Sequence, residues 1–288
     1  MKVLFVASGN KAIGQVNSFV RSQYDSLQKA GLEMSMFPVV GHGWKGYARN
    51  IKALRQQIRQ EQPEIVHAHY STCGFLVTLA ALGVRYRHTS GVNKPKVFIS
   101  ILGSFPTKNL RYKVIRWFIQ HVWDSALTKS ERTRNQLDLP LAVVPNGVNL
   151  DIFHPVEQTL CRQQVGFEDT KKYVVWCSNP ERVEKNWPLA KAAVELVQKD
   201  MKNVELVPVF NRAPQEVATY MNAADCMLLT SDSEGSPNVV KEAMACNCPI
   251  VTTDVGDVTE RLKNLDGCYI VKDNDLRFTN MQVVAPMV

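Results

Sequence analysis

The run Cys226-Met227-Leu228-Leu229-Thr230-Ser231-Asp232-Ser233-Glu234-Gly235-Ser236-Pro237-Asn238-Val239-Val240-Lys241-Glu242 decides the fold. It opens on unbroken apolar residues, as a strand buried on both faces would. A polar, turn-forming stretch follows, and then apolar positions at helical spacing. Ser236 suits a helix N-cap and Pro237 the first helical position. The free backbone N–H groups of such a helix start point back at the strand ends and form a ready anion site suited to a diphosphate. Glu234, just before the helix, and Glu242, on its second turn, would repel a phosphate if they faced it. They are better suited to accept hydrogen bonds from sugar hydroxyls. The pair therefore fits a nucleotide-sugar, with phosphate on the amides and hydroxyls on the carboxylates.

Working outward, strand-like and helix-like runs alternate along the whole chain. Strands are expected at Lys2–Ala7, Met34–Val40, Glu64–His69, Lys96–Leu102, Ser125–Thr128 and Leu141–Val144, with helices between them. The turn-rich connector Pro145–Pro155 interrupts the pattern. It then restarts with strands at Tyr173–Cys177, Val204–Phe210, Cys226–Thr230, Pro249–Thr253 and Cys268–Val271. Such alternation means parallel sheets with helices on both faces, which bind ligands beyond the carboxyl ends of their strands. The expected class is α/β: two doubly wound Rossmann-like domains facing across a cleft, residues 1–152 on the acceptor side and 153–288 for the nucleotide-sugar.

Composition sets the outer limits. The chain has 288 residues, 45% hydrophobic and 21% charged, comfortable for two domains. No apolar run is long enough to span a bilayer, and the N-terminal apolar run reads as a first strand rather than a signal peptide. Seven irregularly spaced cysteines imply no disulfide framework and point to a reducing, cytoplasmic setting. Cys246-Asn247-Cys248 lacks the second pair that a zinc clip needs. The net charge of +7 hides an asymmetry: residues 1–150 hold 20 basic and 7 acidic residues, and the remainder 14 and 20. The first half is suited to an anionic partner, such as a membrane surface or an acidic acceptor, unless those charges only solvate helix faces. Nucleic acid is not expected, because no recognised module accompanies the basic residues.

Glu234–Glu242, continued by Ala243-Met244-Ala245, resembles the E-x7-E region of the retaining GT-B glycosyltransferases of family 4 (glycosyl transferases group 1). Val144–Pro155 is similar to that family's inter-domain connector, and Val66-His67-Ala68-His69 to its N-domain histidine strand. The resemblance runs from the first strand to about Val271. It implies that Glu234 contacts the donor sugar ring and Glu242 the ribose hydroxyls. It further implies that the amides of Gly235, Ser236, Asn238 and Val239 hold sugar and phosphate oxygens. The family has an Arg and a Lys after the first strand of its second domain, which Arg182 and Lys185 match at a shorter spacing. These would neutralise the leaving diphosphate without a metal, and no cofactor is implied. His67 and His69 share one side of their strand. His69, nearer the carboxyl end, is the active-site candidate and the other a core histidine. The loop Ser8–Gly14 matches the family's glycine-rich first loop, whose Gly14 would approach the donor, although it fails as a dinucleotide fingerprint.

What the resemblance implies is retaining, hexosyl-type transfer from a UDP- or GDP-linked sugar to an acceptor hydroxyl. The acceptor would be lipid-linked or polysaccharide, in cell-surface polysaccharide or glycolipid synthesis, with the protein cytoplasmic or peripheral on the inner membrane face. The segment Lys108–Trp123 mixes basic and aromatic residues and could lie on such a surface while packing Val114, Phe118 and Val122 inward. Gly103-Ser104-Phe105 could line the acceptor side, and Asp273-Asn274-Asp275 reads as a surface turn. Family members continue past the last strand matched here, so the second domain is expected to be incompletely covered, with activity in question. The alternatives are a catalytically inactive truncated homologue or a sugar-binding protein.

Overall fold

A computed structural model describes residues 1–10, 14–85, 94–102 and 110–271. The chain divides into two compact units, Met1–Gly147 and Val148–Val288, parting inside the predicted connector.

In the first unit the elements run β1 (Lys2–Ser8), α1 (Ser18–Lys29), β2 (Glu33–Val39), α2 (Gly43–Ala48), α3 (Ile51–Glu61), β3 (Ile65–His69), α4 (Ser71–Ala81), β4 (Lys96–Ile101), α5 (Leu110–His121), β5 (Ser125–Thr128), α6 (Glu131–Leu137) and β6 (Ala142–Val143). The six strands form one parallel sheet in the order β2-β1-β3-β4-β5-β6. Alternation along β1 explains the layering. Leu4 and Val6 join a core with α3 and α4, whereas Val3, Phe5 and Ala7 pack against Val20 of α1.

The second unit runs α7 (Gln158–Val165), β7 (Lys172–Trp176), a 3₁₀ turn (Val183–Lys185), α8 (Trp187–Val197), β8 (Val204–Pro208), α9 (Pro214–Ala223), β9 (Cys226–Leu229), α10 (Asn238–Ala245), β10 (Ile250–Thr253), α11 (Val258–Leu262) and β11 (Cys268–Val271). Its five strands are also parallel, in the order β11-β10-β9-β7-β8. Val175, Met227 and Leu229 face a core with α9 and α10. Val174, Trp176, Cys226 and Leu228 face α8.

Two expectations are corrected. The key helix begins one residue late: Pro237, at φ −67° and ψ 119°, is its N-cap, and Asn238 is its first residue. Proline's φ suits either position, but its extended ψ keeps it outside the helix. In α5 the side packed inward carries Tyr112 and Ile115, with Phe118 and Val122 alongside, and Val114 is exposed. Gly103-Ser104-Phe105, Asp273-Asn274-Asp275 and the tail Leu276–Val288 lie outside the described residues.

Candidate functional site

Strand order locates the chemistry. In the second unit the chain leaves β7 towards β8 on one side and returns to pair β9 on the other. The carboxyl ends of β7 and β9 thus flank a topological switch point, where open α/β sheets bind ligands. Two loops emerge there, Cys177–Asn186 and Thr230–Pro237, and they are tied together. Trp176 Nε1 donates to Thr230 Oγ1 at 3.0 Å, and that hydroxyl reaches the carbonyls of Lys185 and Asn186, both at 3.0 Å. Asp232 N donates to Glu184 O at 3.0 Å, and Asn186 Nδ2 to Asp232 Oδ1 at 2.9 Å. Asn186, in the left-handed region at φ 54°, also caps α8 by accepting from Leu189 N.

This stitching brings the Lys185 ammonium onto the Glu234 carboxylate, an ion pair in which both side chains are largely buried. Ser231 Oγ donates to the same Glu234 oxygen at 2.9 Å. The Ser231 carbonyl is held by Thr253 Oγ1 at 2.7 Å, which links the assembly to β10. Gly235, Ser236, Asn238 and Val239 follow directly, opening α10. Glu242 lies one turn further on. Burial pushes its carboxyl up to about 7, with the neighbouring Lys241 pulling the other way. Lys241 in turn is pushed down to about 8 by burial, against the attraction of Asp257. Neither behaves as a side chain on a solvated face.

Arg182 belongs to the first of these loops but turns elsewhere. Its side chain is 56% exposed, and its guanidinium grips Glu184 at 2.5 Å. Lys185 is therefore the cation that meets Glu234, and Arg182 is not in that contact.

His69 and Gly14 belong to the first unit, at the switch point flanked by β1 and β3. His69 is fully buried and stacks on His67 with ring centroids 4.6 Å apart. The edge of Phe5 abuts both rings. His67 Nε2 is 2.8 Å from Ser100 Oγ. Among the described residues neither ring nitrogen of His69 has a hydrogen-bond partner. Burial holds His67 down at about 4 and His69 well below its ordinary range, with the buried Lys129 ammonium adding to both. Tyr70 follows at φ 75° and ψ 145°, a conformation that non-glycine residues adopt only under strain and mostly at functional sites. Gly14 has φ +82° and open space where a side chain would project.

Sequence reasoning missed Ser231, Thr230, Asn186 and Asp257. Short polar side chains in loops give no periodicity, so only their contacts reveal them.

Residues 15–152 match Glycosyltransferase Family 4, and residues 168–280 match Glycosyl transferases group 1. Both matches are to glycosyltransferase families; the family 4 match holds His69, and the group 1 match holds the Lys185–Glu234 pair. Among curated relatives, N-acetyl-alpha-D-glucosaminyl L-malate synthase of Bacillus anthracis is 22% identical over 75% of this chain. The chain spans 63% of that relative's length. Among solved structures, sucrose-phosphate synthase of Thermosynechococcus elongatus superposes with a TM-score of 0.77 at 14% identity, covering 99% of this chain and 90% of the other. Anabaena Alr3699/HepE, in complex with UDP and glucose, superposes with a TM-score of 0.68 at 13% identity, covering 100% and 89%. The two parallel-sheet domains match the GT-B fold.

Proposed function

We propose that this protein transfers a glycosyl unit from a UDP- or GDP-linked sugar to an acceptor hydroxyl, with retention and without a metal. The observation that carries the reading is the Lys185–Glu234 pair, set beside the first amides of α10 at the β7/β9 switch point. Transfer breaks the bond between the anomeric carbon and a phosphate oxygen. Negative charge grows on the departing diphosphate, while the acceptor oxygen bonds to the carbon and gives up its proton to the phosphate oxygen. The groups required are donors and a cation fixed in advance, because preorganised charge acts most strongly where water is excluded. Lys185 and the amides of Gly235, Ser236, Asn238 and Val239 fill that role, and Arg182 would have to leave Glu184 to join them. Glu234 would exchange part of its contact with Lys185 for the donor's hydroxyls, and Glu242 would take the ribose. Gly14 would approach the donor. His69, neutral, would offer a ring N–H or accept from a hydroxyl.

A relative matched over most of this chain is named D-inositol 3-phosphate glycosyltransferase, and one solved neighbour holds UDP and glucose. The acceptor is taken to be lipid-linked or polysaccharide, presented at an anionic membrane surface that the basic first unit would meet.

Incubating the protein with a panel of UDP- and GDP-sugars tests the reading. One donor should raise the melting temperature by mass action and be consumed in the presence of acceptor or, slowly, water. Glu234→Ala and Lys185→Ala should each lower turnover by about 10²-fold or more. If no nucleotide-sugar stabilises the wild type or is turned over, the proposal fails.

A further inference from the structure

The buried carboxylate of Asp257 has no part in the chemistry above. It sits at the start of α11 and is 2% exposed. Aspartate in that position ordinarily accepts from the first amides of its own helix. Here it makes no such cap. It reaches instead to the neighbouring loop, where Ser236 Oγ donates to Asp257 Oδ2 at 2.8 Å. Lys241 Nζ donates to the same serine oxygen at 3.1 Å, and Arg261 Nε to Asp257 Oδ2 at 3.0 Å. One hydroxyl therefore relays between a half-buried ammonium and a buried carboxylate.

The backbone beneath is equally constrained. Gly256 has φ +60°, and a Cβ there would lie 2.8 Å from the carbonyl oxygen of Gly235. The two loops touch main chain to main chain at the residue before Ser236, and the polar relay locks them at Ser236 itself. A side chain held on both sides fixes the peptide groups that flank it, and a misplaced hydrogen-bond donor loses much of its effect.

We propose that Asp257 is a positioning residue: through Ser236 it holds the amides of Gly235, Ser236, Asn238 and Val239 in the arrangement that binds the donor, with Lys241 as the second anchor. This rests on the donor reading above and adds residues that do not themselves touch the donor. Replacing Asp257 removes the anion on which Ser236 and Arg261 converge, and replacing Ser236 removes the hydroxyl that joins it to Lys241, so in either case the loop relaxes away from its bound form.

Two measurements test it. In steady-state transfer, Asp257→Ala and Ser236→Ala should each raise the donor KM about 10-fold, leaving the acceptor KM within twofold. The double variant should be no worse than the weaker single one, because both changes break one relay. Asp257→Asn, which can still accept from Ser236, should recover part of the loss. Independently of any donor, amide hydrogen exchange at Gly235, Ser236, Asn238 and Val239 should be faster in Asp257→Ala than in wild type, with β7 and β9 unchanged. Should Asp257→Ala not fold, Ser236→Ala carries both readouts. Unchanged exchange, or donor KM effects that multiply independently in the double variant, would overturn the proposal. Faster exchange in a protein whose wild type takes no nucleotide-sugar would support the loop clamp and refute the donor reading alone.

Discussion

Glu242 and Lys241, neighbours in α10, are shifted by burial in opposite directions. The folded pKa of Glu242 is raised to about 7, so the folded protein binds more protons than the unfolded chain between pH 4.5 and about 7, and stability falls as pH rises through that window. Lys241 acts the other way. Its folded pKa is lowered to about 8, so stability recovers between about pH 8 and its ordinary 10.5. A trough of stability is expected between about pH 7 and pH 8. Glu242→Gln should fill it, gaining about 1–2 kcal/mol at pH 7.5 after allowance for partial exposure, while weakening donor binding. Melting curves across pH would show an unchanged trough if the carboxyl is not responsible. Ribose hydroxyls donating to Glu242 should favour its ionised form. Nucleotide binding near pH 6.5 should then release protons in the wild type and not in Glu242→Gln, as calorimetry in buffers of different ionisation enthalpy would read. At this scale the sequence singled out Glu234 and Glu242, one just before α10 and one within it, and the structure finds both withdrawn from solvent. Lys185 was expected near the start of α10 together with Arg182, but its direct pairing with Glu234 was not, since that contact joins positions 49 residues apart through loops that only the sheet order brings together.

Among elements, the loops matter more than the strands. Strand positions were readable from apolar runs because both sheets are buried on two faces. Helix α7 was not, because Gln158–Val165 is mostly polar and its inward side is carried by Cys161 and by Arg162, which pairs with Asp225 at 2.8 Å. Nor was the start of α10, where the sequence suits Ser236 as the cap and the structure puts Pro237 there. The close approach of Gly256 to Gly235 gives an element-level prediction. Gly256→Ala requires both a left-handed backbone at a β-carbon residue and displacement of a carbonyl oxygen. It should cost about 1–3 kcal/mol in chemical denaturation. It should also raise the donor KM, because the movable partner is the tip that opens α10. Full stability with wild-type donor affinity would mean that the two loops are not held against each other.

On the scale of the whole molecule, charge separates the two units as sharply as sequence does. The first holds 20 of the 34 basic residues and 7 of the 27 acidic ones. Part of this charge lies beside exposed apolar rings: Trp44 has Lys45 over its face at 5.6 Å, and on α5 the exposed Leu110, Val114 and Trp117 sit among Arg111 and Lys113. No helix among the described residues is long and apolar enough to cross a membrane. Aromatic and basic side chains on one surface are the pattern of a helix that lies at a headgroup boundary, each basic residue there being worth about 1 kcal/mol on an anionic leaflet. The protein should therefore co-sediment with vesicles containing phosphatidylserine and not with neutral phosphatidylcholine vesicles. Binding should weaken several-fold between 50 mM and about 300 mM salt as the charges are screened. Trp117→Ala should weaken it at every salt concentration, whereas Arg111→Glu with Lys113→Glu should mainly flatten the salt dependence. None of these residues is among those placed at either switch point above, so transfer to a soluble acceptor should be unaffected. Equal binding to both kinds of vesicle, or loss of soluble-acceptor activity in these variants, would mean that the basic face serves the fold or the substrate rather than a membrane.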